Sequence, residues 1–299
     1  MSRDLVLPPE RAGHAAPPDL AERRDQMAQA LAAGMWKTGI AAEPVALGGR
    51  ETLRFAPERR ARGVVLVLHG GGFSLGAPEI NGAFCEALVR QCGVEAFALR
   101  YRLAPDHPFP AGVSDAWAAL QALSESRPGE PLIVCGDSAG GGLAGAVAVL
   151  NGEQPISAID ALVLLSPWLD LTVSAATFDT HAETDPLFSK ARAQSASQMY
   201  LQGEDPLHPL ASSFHADVAR FPPTLIVVGS GEVLLEDSIG MAAKLRESGV
   251  PVTLEVIEGM DHVAVTRGLT LPGAAECLAH VTAFINAALV PQAEAEHMR

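Results

Sequence analysis

The pattern of apolar and polar residues along the chain shows two alternating periods. Short apolar runs, typical of strands buried on both faces, are followed by longer stretches in which apolar residues recur at helical spacing. The pattern predicts strands at residues 45–47, 51–55, 64–68, 94–99, 132–135, 161–165, 224–228 and 252–257. It predicts helices at residues 19–33, 79–92, 112–123, 138–150, 190–201, 234–247 and 273–289. This alternation indicates an α/β fold with a mostly parallel central sheet flanked by helices, preceded by an antiparallel hairpin.

Two segments stand outside this alternation. Residues 1–43 contain a loose arm rich in Pro, Gly and Ala, then the first predicted helix, which Asp19 is placed to cap. Residues 168–221 form a long stretch between two strands, and such stretches in compact domains are usually functional. We expect both segments to form a helical cap over the carboxyl ends of the strands, where sites in open α/β sheets lie. The remaining divisions are a core of residues 44–167 and 222–290 and a flexible tail of residues 291–299.

Composition and charge narrow the range of functions. The chain has 299 residues, of which 48% are hydrophobic and 19% charged, as is typical of a folded, soluble protein. Its formal net charge of −14 argues against a nucleic-acid partner, because phosphates attract basic surfaces. No apolar stretch approaches the roughly 20 residues of a membrane span, and the amino terminus lacks the apolar core of a signal peptide. We therefore expect a cytoplasmic protein whose four cysteines are buried thiols.

A serine stands at the junction between the predicted strand at 132–135 and the helix that follows. The sequence Gly-Asp-Ser-Ala-Gly at residues 136–140 fits the G-x-S-x-G nucleophile elbow, a sharp strand-to-helix turn that exposes the hydroxyl of Ser138. Its glycines permit a close approach of the backbone that a Cβ would obstruct. The string alone is a weak signal, so the interpretation depends on partners elsewhere in the chain.

A glycine-rich loop, His-Gly-Gly-Gly-Phe at residues 69–73, directly follows the predicted strand at 64–68. A hydrolase that is acylated on serine needs donors for the developing oxyanion, and backbone N–H groups can provide them. We predict an oxyanion hole formed by Gly71, Gly72 and Ala139. The alternatives are a tight structural turn and a phosphate-binding loop, although the chain lacks both common phosphate-loop patterns.

The remaining partners are a base and an acid, which would follow the serine in the order serine, acid, histidine. Of the nine histidines, His262 is the one in a loop just after a late predicted strand. The acid should follow the preceding predicted strand, where Glu232 comes first after a glycine turn and Asp237 is the main alternative. Asp261 adjoins His262, and neighbouring residues rarely present their side chains to each other. Asp137 is a further candidate acid, although its tight turn favours a supporting hydrogen bond.

Together these residues resemble the hormone-sensitive-lipase-like branch of the α/β-hydrolases, the bacterial family IV esterases. The resemblance extends from about residue 60 to 265. The motifs that carry it are residues 69–73 (HGGGF), 101–112 (YRLAPDHPFPAG), 136–141 (GDSAGG), 166–171 (SPWLDL), 221–229 (FPPTLIVVG) and 259–262 (GMDH).

The resemblance implies an α/β-hydrolase fold with a helical cap and a carboxylesterase that acts on a small-molecule ester, commonly a short-chain one. It implies a Ser138–Glu232–His262 triad and no metal or organic cofactor. This chain departs from the family at three positions. Glu232 replaces the usual aspartate, Gly142 stands where asparagine is frequent, and Val263 follows the histidine in place of an aromatic residue.

Apolar residues in the glycine loop and the predicted cap are candidates for an acyl pocket, although such residues more often pack in a core. The foremost are Phe73, Trp168 and Leu171. The others are Met27, Met35, Trp36 and Phe178. A preference for short to medium acyl chains follows from the resemblance and not from these residues.

Other functions remain open on the same residues. A lactonase, an amidase or a natural-product deacetylase would use the same triad, since the discriminating contacts lie in the cap. A non-catalytic small-molecule receptor on this fold, such as the plant gibberellin receptor, has lost the histidine that is present here as His262. A purely structural protein would not need the elbow, the glycine loop and the histidine together. A homodimer formed through a sheet edge is compatible with every one of these functions.

Overall fold

The computed structural model describes residues 5–156 and 159–290, and the predicted tail at 291–299 lies outside them. Eight strands in this part of the chain form one sheet in the order β1-β2-β4-β3-β5-β6-β7-β8. They are β1 (Glu43–Leu47), β2 (Arg50–Phe55), β3 (Val64–Leu68), β4 (Glu95–Leu99), β5 (Leu132–Asp137), β6 (Ala161–Leu165), β7 (Thr224–Gly229) and β8 (Val252–Ile257). Strand β2 pairs antiparallel with β1 and β4, and every other pair is parallel. The predicted hairpin and mostly parallel sheet are confirmed.

The described residues form nine α-helices, seven of which match the predicted ones closely. They are α1 (Pro18–Ala32), α2 (Gly82–Cys92), α3 (Ala111–Ser126), α4 (Ala139–Glu153), α5 (Thr177–Thr180), α6 (Lys190–Leu201), α7 (Leu235–Glu247), α8 (Ala264–Arg267) and α9 (Ala274–Ala288). The four-residue helices α5 and α8 are too short to show a period in the sequence. The prediction that Asp19 caps α1 is wrong: Pro17 holds that position, and Asp19 lies in the first turn.

Alternate residues of the buried parallel strands β3 to β7 pack against helices on opposite faces of the sheet. On β3, Val64, Leu66 and Leu68 join the cluster that includes α3, α4 and α7. Val65 and Val67 face the opposite cluster, which includes α2, α8 and α9. Because both faces of these five strands are covered, they appear in the sequence as mostly apolar runs.

The segments predicted to form the cap are the N-terminal segment and the stretch between β6 and β7. Helix α1 buries Leu20 alone among its residues, so most of the helix faces solvent. Helix α6 is anchored by Tyr200, whose ring stacks on Phe73 at 4.0 Å between centroids. Strand β1 begins one residue before the predicted core boundary at 44.

The described part of the predicted N-terminal arm, residues 5–17, contains no helix or strand, yet polar contacts join it to the rest of the protein. Glu10 forms an ion pair with Arg102 at 2.6 Å, and Arg11 donates to the carbonyl oxygen of Leu201 at 3.0 Å. Polar contacts therefore hold this segment, in which apolar residues recur at no regular spacing. The apolar pattern of the sequence could not reveal such contacts.

The expectation of buried cysteine thiols is met, since all four cysteines are buried and free. No helix within residues 5–156 and 159–290 combines the length and the apolar character of a membrane span.

The centre of the sheet should be the part of the fold most sensitive to lost volume. Leu66 is fully buried on β3, so Leu66→Ala is expected to lower the free energy of unfolding by about 2–5 kcal/mol. Leu207, whose exposed fraction is 52%, serves as the matched control, and Leu207→Ala should change this quantity by less than about 0.5 kcal/mol. Urea unfolding followed by circular dichroism measures both. Equal losses in the two variants would contradict this description of the core.

Candidate active site

Ser138 lies on a strained turn between β5 and α4. Its φ of 51° and ψ of −119° are unusual for a residue with a side chain. A Cβ on Gly136 would lie 2.1 Å from the carbonyl oxygen of Gly140, and one on Gly140 would lie 2.0 Å from that of Leu68. The glycines therefore allow a turn that packs tightly against the end of β3 and holds the serine at the carboxyl edge of the sheet.

His262, in the loop after β8, is hydrogen-bonded to both Ser138 and Glu232. Its Nδ1 lies 2.6 Å from Oε2 of Glu232, and its Nε2 lies 3.1 Å from Oγ of Ser138. With Nδ1–H donating to the carboxylate, Nε2 is left as the acceptor of the serine hydroxyl proton. The structure thus brings His262 together with Ser138, which lies 124 positions before it in the chain, and with Glu232, which lies 30 positions before it.

The carboxylate of Glu232 is buried, and its second oxygen is also satisfied. Oε1 accepts hydrogen bonds from the Gly229 N–H at 2.6 Å and from the Ser166 hydroxyl at 2.7 Å. Oγ of Ser166 in turn accepts from the Val263 N–H at 3.2 Å. Ser166, at the end of β6, therefore joins the acid loop to the histidine loop. Sequence reasoning missed this role, although the residue opens one of the motifs that carry the resemblance.

The surroundings of His262 favour its protonated form. Burial lowers the pKa of His262, but the charge and hydrogen bond of Glu232 and the charges of Asp185 and Asp137 oppose this effect. The net result is a pKa above the ordinary value for histidine. An imidazole in this environment is well suited to accept a proton and hold it as an ion pair with the carboxylate.

The rival acids are bonded elsewhere. Oδ2 of Asp237 accepts hydrogen bonds from the N–H groups of Leu169 and Asp170 at 2.9 and 3.0 Å, which fastens the start of the cap insertion to α7. Burial raises the pKa of Asp237 to about 7. Asp137 accepts from the Gly70 N–H at 3.1 Å and from the Asn81 side chain at 2.9 Å, so it supports the glycine loop.

The glycine loop after β3 is shaped by positive φ values, 116° at Gly71 and 60° at Gly72. A Cβ on Gly71 would lie 2.0 Å from the carbonyl oxygen of Leu75, so only glycine fits there. Across residues 5–156 and 159–290, no acceptor is bonded to the N–H groups of Gly71, Gly72 and Ala139. Unpaired N–H groups beside Ser138 are available to an oxygen of a ligand.

His69 begins this loop but takes a structural position. Its ring stacks on Tyr101 at 4.3 Å, and its Nδ1 lies 2.8 Å from the Gly70 carbonyl oxygen. Burial lowers the pKa of His69 to about 4, so the ring is neutral near pH 7. The neutral ring and its backbone hydrogen bond suit a residue that holds the loop in shape.

A cavity of about 770 Å³ opens above Ser138 and His262. Helix α1, the glycine loop, helix α6 and the segments beside His262 contribute its walls. The apolar part of the lining includes Leu20, Met27, Leu187, Phe188, Met199 and Val263. A cavity of this size accommodates a small-molecule ligand.

The prediction that Phe73, Trp168 and Leu171 line an acyl pocket is not supported by their positions. All three are buried in the core and lie outside the lining of this cavity. Phe73 stacks on Tyr200 and packs against Trp168, so these rings anchor the cap to the sheet. Periodicity cannot distinguish an apolar residue that anchors a cap from one that lines the space beneath it.

The comparisons with known proteins agree with this geometry. Residues 65–266 match the family defined by the α/β hydrolase fold. An acetyl-hydrolase from Streptomyces hygroscopicus is 38% identical over 78% of this chain and 78% of its own. An esterase from Acinetobacter venetianus is 30% identical over 81% of this chain and 80% of its own. The crystal structure of an esterase from the bacterial hormone-sensitive lipase family has a TM-score of 0.81 and 31% identity, covering 93% of this chain and 100% of that one. This chain belongs to the hormone-sensitive-lipase-like α/β-hydrolases.

The backbone packing around residue 142 explains why this hormone-sensitive-lipase-like hydrolase has glycine there, where its family often has asparagine. A Cβ on Gly142 would lie 2.6 Å from the carbonyl oxygen of Trp168. This close approach of the cap insertion to α4 excludes asparagine at 142 unless the backbone moves. The glutamate at 232 shows no such conflict, because both of its oxygens are bonded.

In this hydrolase a second carboxylate, Asp185, stands close to the hydrogen-bonded pair. Asp185, Glu232 and His262 each bring one potential ligand atom to within 4.8 Å of the others, a spacing that metal sites also have. Oδ2 of Asp185 instead accepts from the Val233 N–H at 3.1 Å, and Oδ1 accepts from the Phe188 N–H at 2.9 Å. Its bonds therefore tie the cap to the acid loop.

Phe188 covers the histidine from the cap side. Its ring stacks on the imidazole of His262 at 5.8 Å with an interplanar angle of 11°, and it also lines the cavity. Sequence reasoning missed both Asp185 and Phe188. In the sequence these two residues appear only as an aspartate and a nearby apolar pair inside the cap insertion. That pattern is too common to indicate a functional site.

Replacing the acid distinguishes Glu232 from Asp237. Glu232→Gln should lower kcat for a simple ester by on the order of 10³–10⁴-fold, because glutamine cannot stabilise a protonated imidazole. Asp237→Asn is the matched control, and it should keep kcat within about tenfold of the wild type, since Asp237 bonds the backbone at the start of the cap insertion and not His262. Initial-rate kinetics of both purified variants measure this difference. A collapse in Asp237→Asn alone would assign the acid to Asp237.

The charge of Asp185 should be visible in the pH profile. The base must be neutral, so kcat/KM should fall as the pH decreases through the raised pKa of His262. Asp185→Asn removes a negative charge that raises this pKa, so the acid limb should move to lower pH. Asp179→Asn, an exposed acid of α5 paired with Lys190, should leave the limb in place. An acid limb that stays fixed in Asp185→Asn, or moves to higher pH, would contradict this role.

Proposed function

We propose that this protein is a serine hydrolase that cleaves carboxylic esters through an acyl-enzyme on Ser138. The observation that carries the proposal is the hydrogen-bonded chain from Ser138 through His262 to Glu232, which opens on a cavity of ligand size. Relatives named acetyl-hydrolase and esterase support the same reaction.

In the first half of the reaction, His262 accepts the hydroxyl proton of Ser138 while Oγ attacks the ester carbonyl carbon. Glu232 orients the imidazole and stabilises its protonated form. The tetrahedral intermediate then collapses, and the protonated His262 gives its proton to the leaving alcohol. The products of this half are the free alcohol and an acyl group bound to Ser138.

The N–H groups of Gly71, Gly72 and Ala139 bind the oxyanion in this proposal. Their lack of any bonded acceptor in the described residues supports the role. Donors that are already in place need no reorganisation when charge develops, and each one contributes about 3–4 kcal/mol to transition-state stabilisation in such sites.

Water completes the cycle by hydrolysing the acyl-enzyme. His262 removes a proton from the water as it attacks, then returns the proton to Ser138, and the carboxylic acid leaves. Every proton transfer uses the protein's own side chains.

The substrate is a small-molecule ester with a short to medium acyl chain. The relative named acetyl-hydrolase and the cavity of about 770 Å³ support this range. A lactone, an acetylated natural product or an amide would use the same chemistry. A non-catalytic receptor is disfavoured because His262 is bonded on both ring nitrogens to its partners. The cytoplasmic location, the absence of a nucleic-acid partner and the homodimer stay predictions.

Removing the nucleophile tests the proposal. Ser138→Ala should lower the turnover of p-nitrophenyl butyrate by on the order of 10⁶-fold, because no other hydroxyl is hydrogen-bonded to His262 in the described residues. Ser126→Ala, at the exposed end of α3, is the control and should keep wild-type turnover. Circular dichroism checks that both variants are folded. Undiminished turnover by a folded Ser138→Ala protein would refute the proposal.

A further inference from the structure

Three exposed arginines line the same cavity as Ser138, and each comes from a different helix. They are Arg23 on α1, Arg192 on α6 and Arg267 on α8. Two of these helices belong to the cap and the third follows His262. We call these three residues the arginine rim. Residues so far apart in the chain converge on one cavity only because the cap closes over the sheet.

In the described residues the arginine rim forms no short ion pair, although Arg267 and Asp261 form a long one. Arg192 donates to the carbonyl oxygen of Leu187 at 3.0 Å, and Arg267 donates to that of His262 at 3.2 Å. The nearest carboxylate oxygen to Arg267 belongs to Asp261 at 3.9 Å, and Arg23 has no ion-pair partner within residues 5–156 and 159–290. The adjacent Arg24, in contrast, is paired with Asp106 at 2.6 Å but does not line the cavity.

Two carboxylates, Asp19 and Asp137, also line the cavity. Asp137 is buried and accepts hydrogen bonds from Gly70 and Asn81. Asp19 is exposed on the first turn of α1. The exposed charged side chains of the lining are therefore three guanidinium groups and one carboxylate. Positive groups outnumber negative ones in this exposed lining, although the formal net charge of the chain is −14.

Apolar side chains occupy other parts of the same lining. Leu20, Met27 and Phe188 are examples. The lining thus offers apolar surface together with cationic groups that bind carboxylates through paired N–H donors. Such a surface matches an ester that is apolar near the scissile bond and anionic at its far end.

We propose that the natural substrate is an anionic ester, in which the acyl or the alcohol half ends in a carboxylate that binds the arginine rim. The inference rests on the proposed function and specifies its substrate class. The protein's overall negative charge would repel such a substrate from most of the surface, so the rim would also direct its approach to the cavity. Salt weakens contacts of this kind because the guanidinium groups are exposed.

The test compares carboxylates with carboxamides of nearly identical shape. In the acyl series, monoethyl adipate is compared with its monoamide, ethyl adipamate. In the alcohol series, 4-acetoxybenzoate is compared with 4-acetoxybenzamide. The quantity measured is the ratio of kcat/KM for the anionic ester to that for its neutral partner, at low and high sodium chloride. We expect a ratio of about tenfold in at least one series at low salt, expressed mainly in KM, with a decrease at high salt.

Variants connect the preference to the rim. Each of Arg23→Gln, Arg192→Gln and Arg267→Gln should lower the ratio by about twofold to fivefold, and the triple variant should bring it close to one. Arg267 also contacts the backbone of His262, so the double variant Arg23→Gln/Arg192→Gln is measured separately. Arg60→Gln is the matched control, because Arg60 is exposed in the loop that leads into β3 and does not line the cavity. Arg60→Gln should leave kcat/KM unchanged for the anionic esters and for their neutral partners.

The outcomes separate the two levels of the proposal. Hydrolysis of the neutral esters with no preference for either carboxylate would refute the anionic substrate and leave ester hydrolysis intact. A preference that persists in the double and triple variants would refute the role of the arginine rim. If the protein hydrolyses none of the four esters and does not hydrolyse p-nitrophenyl butyrate either, the proposed function itself is refuted.

Discussion

The buried carboxylate of Glu232 is the group on which the geometry of the site depends. One of its oxygens bonds His262, and the other accepts from Gly229 and Ser166. A charge removed from water is costly unless donors surround it, and here three donors do so. Ser166 directly follows β6, Gly229 ends β7 and His262 follows β8, so the parallel sheet places them side by side. The position of the imidazole beside Ser138 follows from this arrangement.

The cap is coupled to the same loops through aspartates. Asp237 binds the N–H groups at the start of the cap insertion, and Asp185 binds the N–H of Val233 next to the acid. Phe188 then covers the imidazole. The space above Ser138 and the charge environment of His262 are therefore set partly by residues that take no direct part in proton transfer. A change in the cap should affect substrate choice and the pKa of the base together.

The sequence predicts most of the framework because its signals are local. Buried parallel strands are continuous apolar runs, and Gly136 and Gly140 mark a turn that tolerates no Cβ. The order of serine, acid and histidine follows from the order of the strands. The choice between Glu232 and Asp237 could not be made in this way, because both follow β7 and only their orientation distinguishes them.

The cap is where sequence reasoning was least informative. Phe73, Trp168 and Leu171 have the apolar character of pocket residues, yet they pack in the core. Apolar residues occur both where a cap packs on the core and around an apolar ligand, so residue type does not distinguish the two positions. The arginine rim has no sequence signature either, because its members are distant in the chain and exposed. Such features arise from tertiary packing alone.

The central claim is that Ser138 is a nucleophile activated by His262 and Glu232. A fluorophosphonate reagent followed by intact-protein and peptide mass spectrometry tests it most directly, because only an activated serine reacts quickly. The account predicts one adduct per chain, located on Ser138, absent in Ser138→Ala and formed much more slowly in Glu232→Gln. An adduct on another residue, or labelling of Glu232→Gln at the wild-type rate, would contradict it.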